Sequence, residues 1–413
     1  MRVSWSSNLQ GPISEEKPLR IPALDGMRAI AIALVLLAQG FSVGSGQTDL
    51  QLALHHFVAF LGEIGAALFF AISGFLITTL LVCEELRTGK IALGAFYVRR
   101  AVRILPAAYF YLLLVALAGI AGWLSGTWLT ANRGVEDFLN SALLLRNYWG
   151  DAGGDITGWA TSHFWAIAVV CHFYLLWPPV IAIVGSRHAL HVAMGGIVAS
   201  IVWRTLAIST PALSALSSGM NPWQHTDFRL DSFLWASLWA LLIASAKGGV
   251  VARVVTSPEF RRTACVALLA IWLMDLFSPA RVITSVIQSA LLPALLLSVV
   301  LRSESPAHRF LEREELVLLG RISFGIFLWQ QVLMPGGAPR PLLNAALAFP
   351  MRCVLLILFA AANYFLLEVP LRDFARRRLQ ARAKRKESQE VPFQVPLPQN
   401  QPQPAQRSRP LSA

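Results

Sequence analysis

Three polar side chains, Asp25, Arg28 and Gln39, interrupt the apolar stretch LDGMRAIAIALVLLAQG, Leu24 to Gly40. Arg28 stands at its mouth and Gln39 lies eleven residues deeper. On an α-helix that separation is about 16 Å, roughly half the thickness of a bilayer's hydrocarbon core. The guanidinium can therefore face phosphates at a membrane surface while residue 39 sits near the midplane. Asp25, three residues before Arg28, can hold the guanidinium and also suits a helix N-cap. The amide of Gln39 can orient a hydroxyl or donate to an oxyanion, but it does not exchange a proton at useful pH.

Other residues could join that chemistry. Arg99, Arg100 and Arg103 cluster at a helix start. They either anchor that end at an anionic surface or clamp donor phosphates with a fork that lysine lacks. Cys171 could accept an acyl group with His172 beside it. Adjacent helical residues point about 100° apart, however, so the two do not form a natural nucleophile–base pair. A structural buried cysteine is the competing reading. His163 and His172 are candidate bases, and Gln330 shares the limits of Gln39. Arg229 and Asp231 either serve an acceptor pocket or pair with each other. Ionisable residues at membrane depth are functional candidates by default, which adds Glu63, Arg204, Asp275, Arg321 and Glu368. No metal-ligand cluster, phosphate-binding loop or nucleophile elbow is present.

The elements that must position these groups follow from composition. Of 413 residues, 55% are hydrophobic and 14% charged, and mean hydropathy is +0.56. A soluble domain needs more charge at its surface. Apolar runs of about 20 residues recur, long enough to cross a bilayer, and the alternation of a membrane barrel is absent. The chain reads as an all-α polytopic membrane protein with about ten transmembrane helices. The expected spans are roughly 24–43, 57–82, 104–124, 163–184, 190–209, 230–246, 263–278, 282–301, 316–335 and 342–368.

Basic residues cluster in alternate loops, which puts both termini in the cytoplasm. The net charge of +12 reads as anchorage to anionic lipid; no RNA- or DNA-binding motif accompanies it. The four cysteines are scattered and read as small buried hydrophobes. Residues 1–20 read as a cytoplasmic N-terminal segment without a cleavable signal's apolar run. Residues 379–413 read as a basic, then Pro/Gln-rich, disordered cytoplasmic tail.

Seven stretches in order resemble acyltransferase family 3, a family of integral membrane acyltransferases. They are IPALDGMRAIA, GAALFFAISGFLI, FYVRRAVRILPAAY, HFWAIAVVCHFYLLWP, HTDFRLDSFLWASLWA, LGRISFGIFLWQQ and NYFLLEVPLR. The resemblance implies one membrane domain over residues 21–378, in a bacterial inner membrane. It implies acyl-CoA, acetyl-CoA above all, as a cytoplasmic donor substrate with no bound cofactor. A carbohydrate or lipid-linked hydroxyl would be the acceptor. The family pattern has His where this chain has Gln39, Glu where it has Val170 and Cys171, and His where it has Gln330.

Two functions follow. One is a membrane O-acyltransferase whose base is His172, His163, a water on Gln39 or the acceptor itself. The other is a catalytically silent relative that binds donor, lipid, glycan or a partner protein. Substitution of three proton-transfer positions favours the second, and the scaffold with its donor-side arginines favours the first.

Overall fold

The computed structural model describes residues 21–40, 49–124, 133–149, 156–210, 222–277, 281–334 and 351–390. Among them every regular element is helical, with no strand. The helices that build the site are α1 (Pro22–Gly40), α2 (Asp49–Thr88), α3 (Leu93–Leu124), α4 (Phe164–Ser209), α5 (Thr226–Ala244), α6 (Pro258–Phe277), α7 (Arg281–Val300) and α8 (Glu314–Leu333). A further helix, Met351–Ala362, passes through a π-helical turn at Asn363–Glu368 into Val369–Glu390. That last helix runs through residues 379–390, where a disordered tail is expected. Residues 1–20 and 391–413 lie outside the described residues.

Among the described residues seven helices are long and apolar enough to cross a membrane: Pro22–Gln39, His56–Thr88, Leu93–Ala121, Trp159–Ser209, Val282–Val300, Glu314–Leu333 and Met351–Arg382. The chain is thus a multi-pass membrane protein, and the count falls short of the expected ten. Three expected spans account for the difference. The fourth and fifth fall inside the single span Trp159–Ser209. A straight helix of that length would far exceed a core about 30 Å thick. Gly185 breaks it, with φ 75° and ψ 158°. That φ is open to glycine at no steric cost. The carboxylate of Glu85 then accepts from the backbone N–H of Ser186 at 3.0 Å.

Contacts with α5 show that the chain reverses at this break. Before it, His172 meets Thr226 and Phe173 stacks on Phe233, so the two helices run in parallel. After it, Gly196 meets Leu234 while Ser200 and Arg204 reach back to Asp227 and Phe228. The sixth and seventh expected spans coincide with α5 and α6. Helix α5 carries Asp227, Arg229 and Asp231 in its first two turns, and α6 carries Glu259, Arg261 and Arg262. Those charges keep both out of the set of seven.

Three apolar clusters hold the bundle. One surrounds Tyr111, Phe164 and Trp329. Another stacks Phe70, Phe173 and Phe233. The third packs Leu24, Met27 and Phe75 against Leu311. Inside the bundle Asp231 is fully buried and Arg204 nearly so. Their side chains form a two-pronged ion pair, Nη2–Oδ2 at 3.0 Å and Nη1–Oδ1 at 3.4 Å. Asp231 therefore pairs with Arg204, and the expected pairing with Arg229 is corrected. The cause is the return of α4's second half alongside α5, which no local pattern in the sequence announces.

A buried pair is most costly when half of it is removed. Asp231→Leu alone should destabilise the protein by about 3–5 kcal/mol, and adding Arg204→Met should recover most of that loss. Thermal unfolding in detergent of the two single variants and the double variant checks this. Losses that simply add would show that the pair is not the coupled unit described.

Candidate functional site

Helices α1, α2, α3, α4, α5 and α8 enclose a cavity of about 500 Å³. Arg28 and Gln39 both line it, so one cavity spans the whole distance between them. Arg103 and Tyr174 stand with Arg28 at the near end. At the far end Glu63, Trp223, Gln224 and Arg229 stand with Gln39.

The near end is built around a carboxylate. Arg28 Nη1 donates to Asp25 Oδ1 at 2.6 Å. The i, i+3 spacing places both on one face of α1. Asp25 Oδ2 also lies 4.0 Å from Arg321 Nε on α8. Helix α8 can approach this closely because residue 320 is glycine: a Cβ there would overlap the Asp25 carbonyl oxygen. Three cations thus gather around one carboxylate or beside it, leaving net positive charge where an anion could bind.

The three-arginine cluster separates in space. Arg103 lines the cavity. Arg100 lies over the rings of Phe96 and Tyr174, 5.5 and 5.7 Å from their centroids, and backs the wall rather than lining it. Arg99 is exposed and lies 3.7 Å from Glu84, which suits a surface anchor.

Deeper in, three groups are able to handle a hydroxyl or its proton. Gln330 is 1% exposed and its Oε1 has no hydrogen-bond partner. His163 is 5% exposed and lines the cavity. Tyr111, Phe164 and Phe327 meet its ring edge-on at 5.1–5.4 Å. Neither ring nitrogen makes a hydrogen bond of normal geometry, although the Leu328 backbone is near enough to interact. Buried polar atoms left unpaired call for an explanation, and a bound ligand is one. Gln39 completes the set. Val170, at a position where the family pattern has Glu, also lines the cavity.

Cys171 and His172 are not brought to this cavity. Cys171 packs against the first apolar cluster. His172 Nδ1 lies 2.7 Å from Thr226 Oγ1, and its ring stacks on Tyr148. The 100° step between adjacent helical residues explains this: with Val170 facing the cavity, the next two positions turn away. Outside the spans, burial raises the Tyr148 phenol, with Asp227 adding to the shift. Burial also lowers the neighbouring His225 imidazole, against the pull of Asp227.

Trp223, Gln224, Gln331 and Ser162 line the cavity as well, and sequence reasoning did not single them out. Gln331 was legible as a polar residue beside Gln330 on an apolar helix. Trp223 and Gln224 lie just before α5, where only folding reveals their direction. Among the described residues no group of His, Cys, Asp and Glu could hold a metal ion.

The acyltransferase-domain profile of acyltransferase family 3 matches residues 21–366, and the chain belongs to that family. Among curated proteins it is 25% identical over 328 residues to O-acetyltransferase OatA of Staphylococcus aureus, covering 76% of this chain and 50% of that one. It is 24% identical over 377 residues to YrhL of Bacillus subtilis, provisionally named a peptidoglycan O-acetyltransferase, covering 85% and 55%. The peptidoglycan O-acetyltransferase OatA of Listeria monocytogenes is 27% identical over 198 residues, 45% of this chain and 29% of that one. The chain spans about half the length of the first two relatives. No solved structure matches it significantly.

If residue 170 faces the cavity and residue 171 does not, thiols at the two positions should differ in access. In a chain with the four native cysteines replaced, Val170→Cys should react with a small methanethiosulfonate reagent about 10-fold faster than a chain retaining Cys171 alone. Equal rates would return Cys171 to the set of site residues.

Proposed function

We propose that the protein is a membrane O-acyltransferase that takes an acyl group from acyl-CoA and passes it to a carbohydrate hydroxyl. The observation that carries this is the continuity of one cavity from Arg28 and Arg103 to Gln39, His163 and Gln330. The donor's phosphates bind at the arginines, which face the cytoplasm, and its thioester reaches the middle of the cavity. The acceptor enters from the Glu63 end. Family membership and the names of the relatives support acyl transfer, and acetyl is the acyl group those names carry.

His163 serves as the base. It takes the proton as the acceptor oxygen attacks the thioester carbonyl. The amide N–H groups of Gln39 and Gln330 donate to the oxyanion that forms. As the intermediate collapses, the C–S bond breaks and the imidazolium returns the proton to the leaving thiolate. Aromatic edges around His163 exclude water from a reactive thioester. In this arrangement ten helical passes, counting α5, α6 and both halves of α4, keep both termini in the cytoplasm of a cell with this protein in its inner membrane.

A second reading rests on Gln39, Gln330 and Val170, which occupy positions where the family pattern has titratable groups. Under it the chain binds the donor without turnover, and Gln39→His with Val170→Glu should create transfer.

Purified protein with labelled acetyl-CoA and an oligosaccharide acceptor separates the two. His163→Ala should lower transfer about 10²–10⁴-fold, the usual range for a general base, while donor affinity stays within twofold. Full transfer by that variant would remove His163 from the reaction. Arg28→Ala should instead weaken donor binding by about 10-fold or more, as loss of a charge-assisted phosphate contact does.

A further inference from the structure

Beside the far end of the main cavity lies a small chamber of about 20 Å³. That is room for about one water-sized group. It shares Glu63, Trp223 and Arg229 with the main cavity. Its remaining wall is hydroxyl and amide: Ser232 from α5, and Thr284, Ser285, Gln288 and Ser289 from α7. Four of these five are buried. Such a run of polar side chains is costly between membrane helices unless each finds a partner.

Several do find one. The hydroxyls of Ser232 and Ser289 are 3.0 Å apart, and Ser285 donates to the Val282 carbonyl. Gln288 differs. It is 7% exposed, and its amide has no hydrogen-bond partner among the described residues. Arg229 is held by its Nε, which donates to the Trp223 carbonyl at 2.6 Å, and by the face of Trp165 at 6.0 Å. Its two terminal nitrogens have no hydrogen-bond or ion-pair partner among the described residues. Arg229 is thus held with two donors unused, and Gln288 lines with it a space for about one water-sized group.

Charge decides what kind of group that is. The two carboxylates nearest in sequence are taken elsewhere, Asp231 by Arg204 and Asp227 by Tyr148 and Trp203. Glu63 lines the same chamber and attracts Arg229. One cation and one anion at the chamber leave it near neutral, which favours an uncharged polar group over a carboxylate or phosphate. Trp165 and Trp223 line the main cavity beside it, each with a guanidinium over its ring, and give that end the aromatic lining a sugar's C–H side can meet.

We infer that this chamber is the acceptor's specificity subsite, taking one hydroxyl or hydroxymethyl group of a neutral sugar next to the hydroxyl that is acylated. The inference rests on the acyltransferase reading for which end the acceptor enters. It assigns Gln288 and Arg229 as the hydrogen-bonding residues and α7 as the helix that selects the acceptor.

The test is binding of sugars to the purified full chain, read by tryptophan fluorescence and calorimetry. The probes are the methyl glycoside of N-acetylglucosamine, its 6-deoxy analogue and the corresponding uronic acid. The hydroxymethyl sugar should bind about 10-fold more tightly than the 6-deoxy sugar, as one or two hydrogen bonds would give. Gln288→Leu, and independently Arg229→Gln, should shrink that ratio towards one. Equal binding of the two neutral sugars to the wild type, tightest binding of the uronic acid, or no sugar binding would each overturn the subsite. Acetyl-CoA affinity, measured on the same wild-type preparation, tests the donor reading separately. Its absence with the sugar ratio intact would sink the acyltransferase reading, and with it the chamber's role beside an acylated hydroxyl, while leaving Gln288 and Arg229 as a sugar-binding pair.

Discussion

The structure depends on keeping charge inside an apolar bundle without neutralising all of it. A guanidinium taken out of water costs several kcal/mol unless it is paired and hydrogen-bonded. The protein handles this in two ways. Arg204 and Asp231 neutralise each other at depth, and neither lines the cavity. Arg28 is only half answered, because Asp25 also faces Arg321 and stands beside a cavity that Arg103 lines too. The first arrangement holds helices together. The second leaves an electropositive entrance with its charge unspent. The two arrangements differ in burial as well, Arg204 being fully enclosed and Arg28 and Arg321 partly open.

Small residues make the second arrangement possible. The close contact of α8 with α1 at Gly320 sets the distance of Arg321 from Asp25 and brings Gln330 to the cavity. Ten residues along α8 from Gly320 correspond to about 15 Å. Gln39 lies fourteen residues beyond Asp25, the point where α1 touches Gly320, or about 21 Å along α1. The two amides therefore stand at successive depths along one cavity that both line.

Much of this was legible in the sequence because it is local. Helical periodicity places Asp25 beneath Arg28, and apolar run lengths give spans close to the helices observed. What was not legible depends on how the chain returns on itself. The reversal at Gly185 rests on one backbone angle, and it decides that Asp231 meets Arg204 rather than Arg229. The facing of Val170 and not Cys171 depends on the rotation of one helix within the bundle. Composition could not settle the number of spans either. The charges in the first turns of α5 and α6 set these helices apart from the seven apolar ones, and those of α5 are buried or partly buried in the bundle while those of α6 are largely exposed.

The order of groups along the cavity suits the proposed thioester reaction. The proposed donor is highly anionic and the proposed acceptor is neutral, so an end of net positive charge favours the one and gives no advantage to the other. Between them the cavity offers groups that act only where charge develops. An amide donates to an oxyanion without competing for a proton, and an imidazole caged by aromatic edges has little water to share its proton with. Replacing an imidazole by Gln39 removes a second titratable group from the passage and leaves His163 as the one imidazole among the described lining residues. The lining carboxylate, Glu63, stands at the far end beside Arg229, so imidazole and carboxylate occupy different stretches of the passage with amides between its ends.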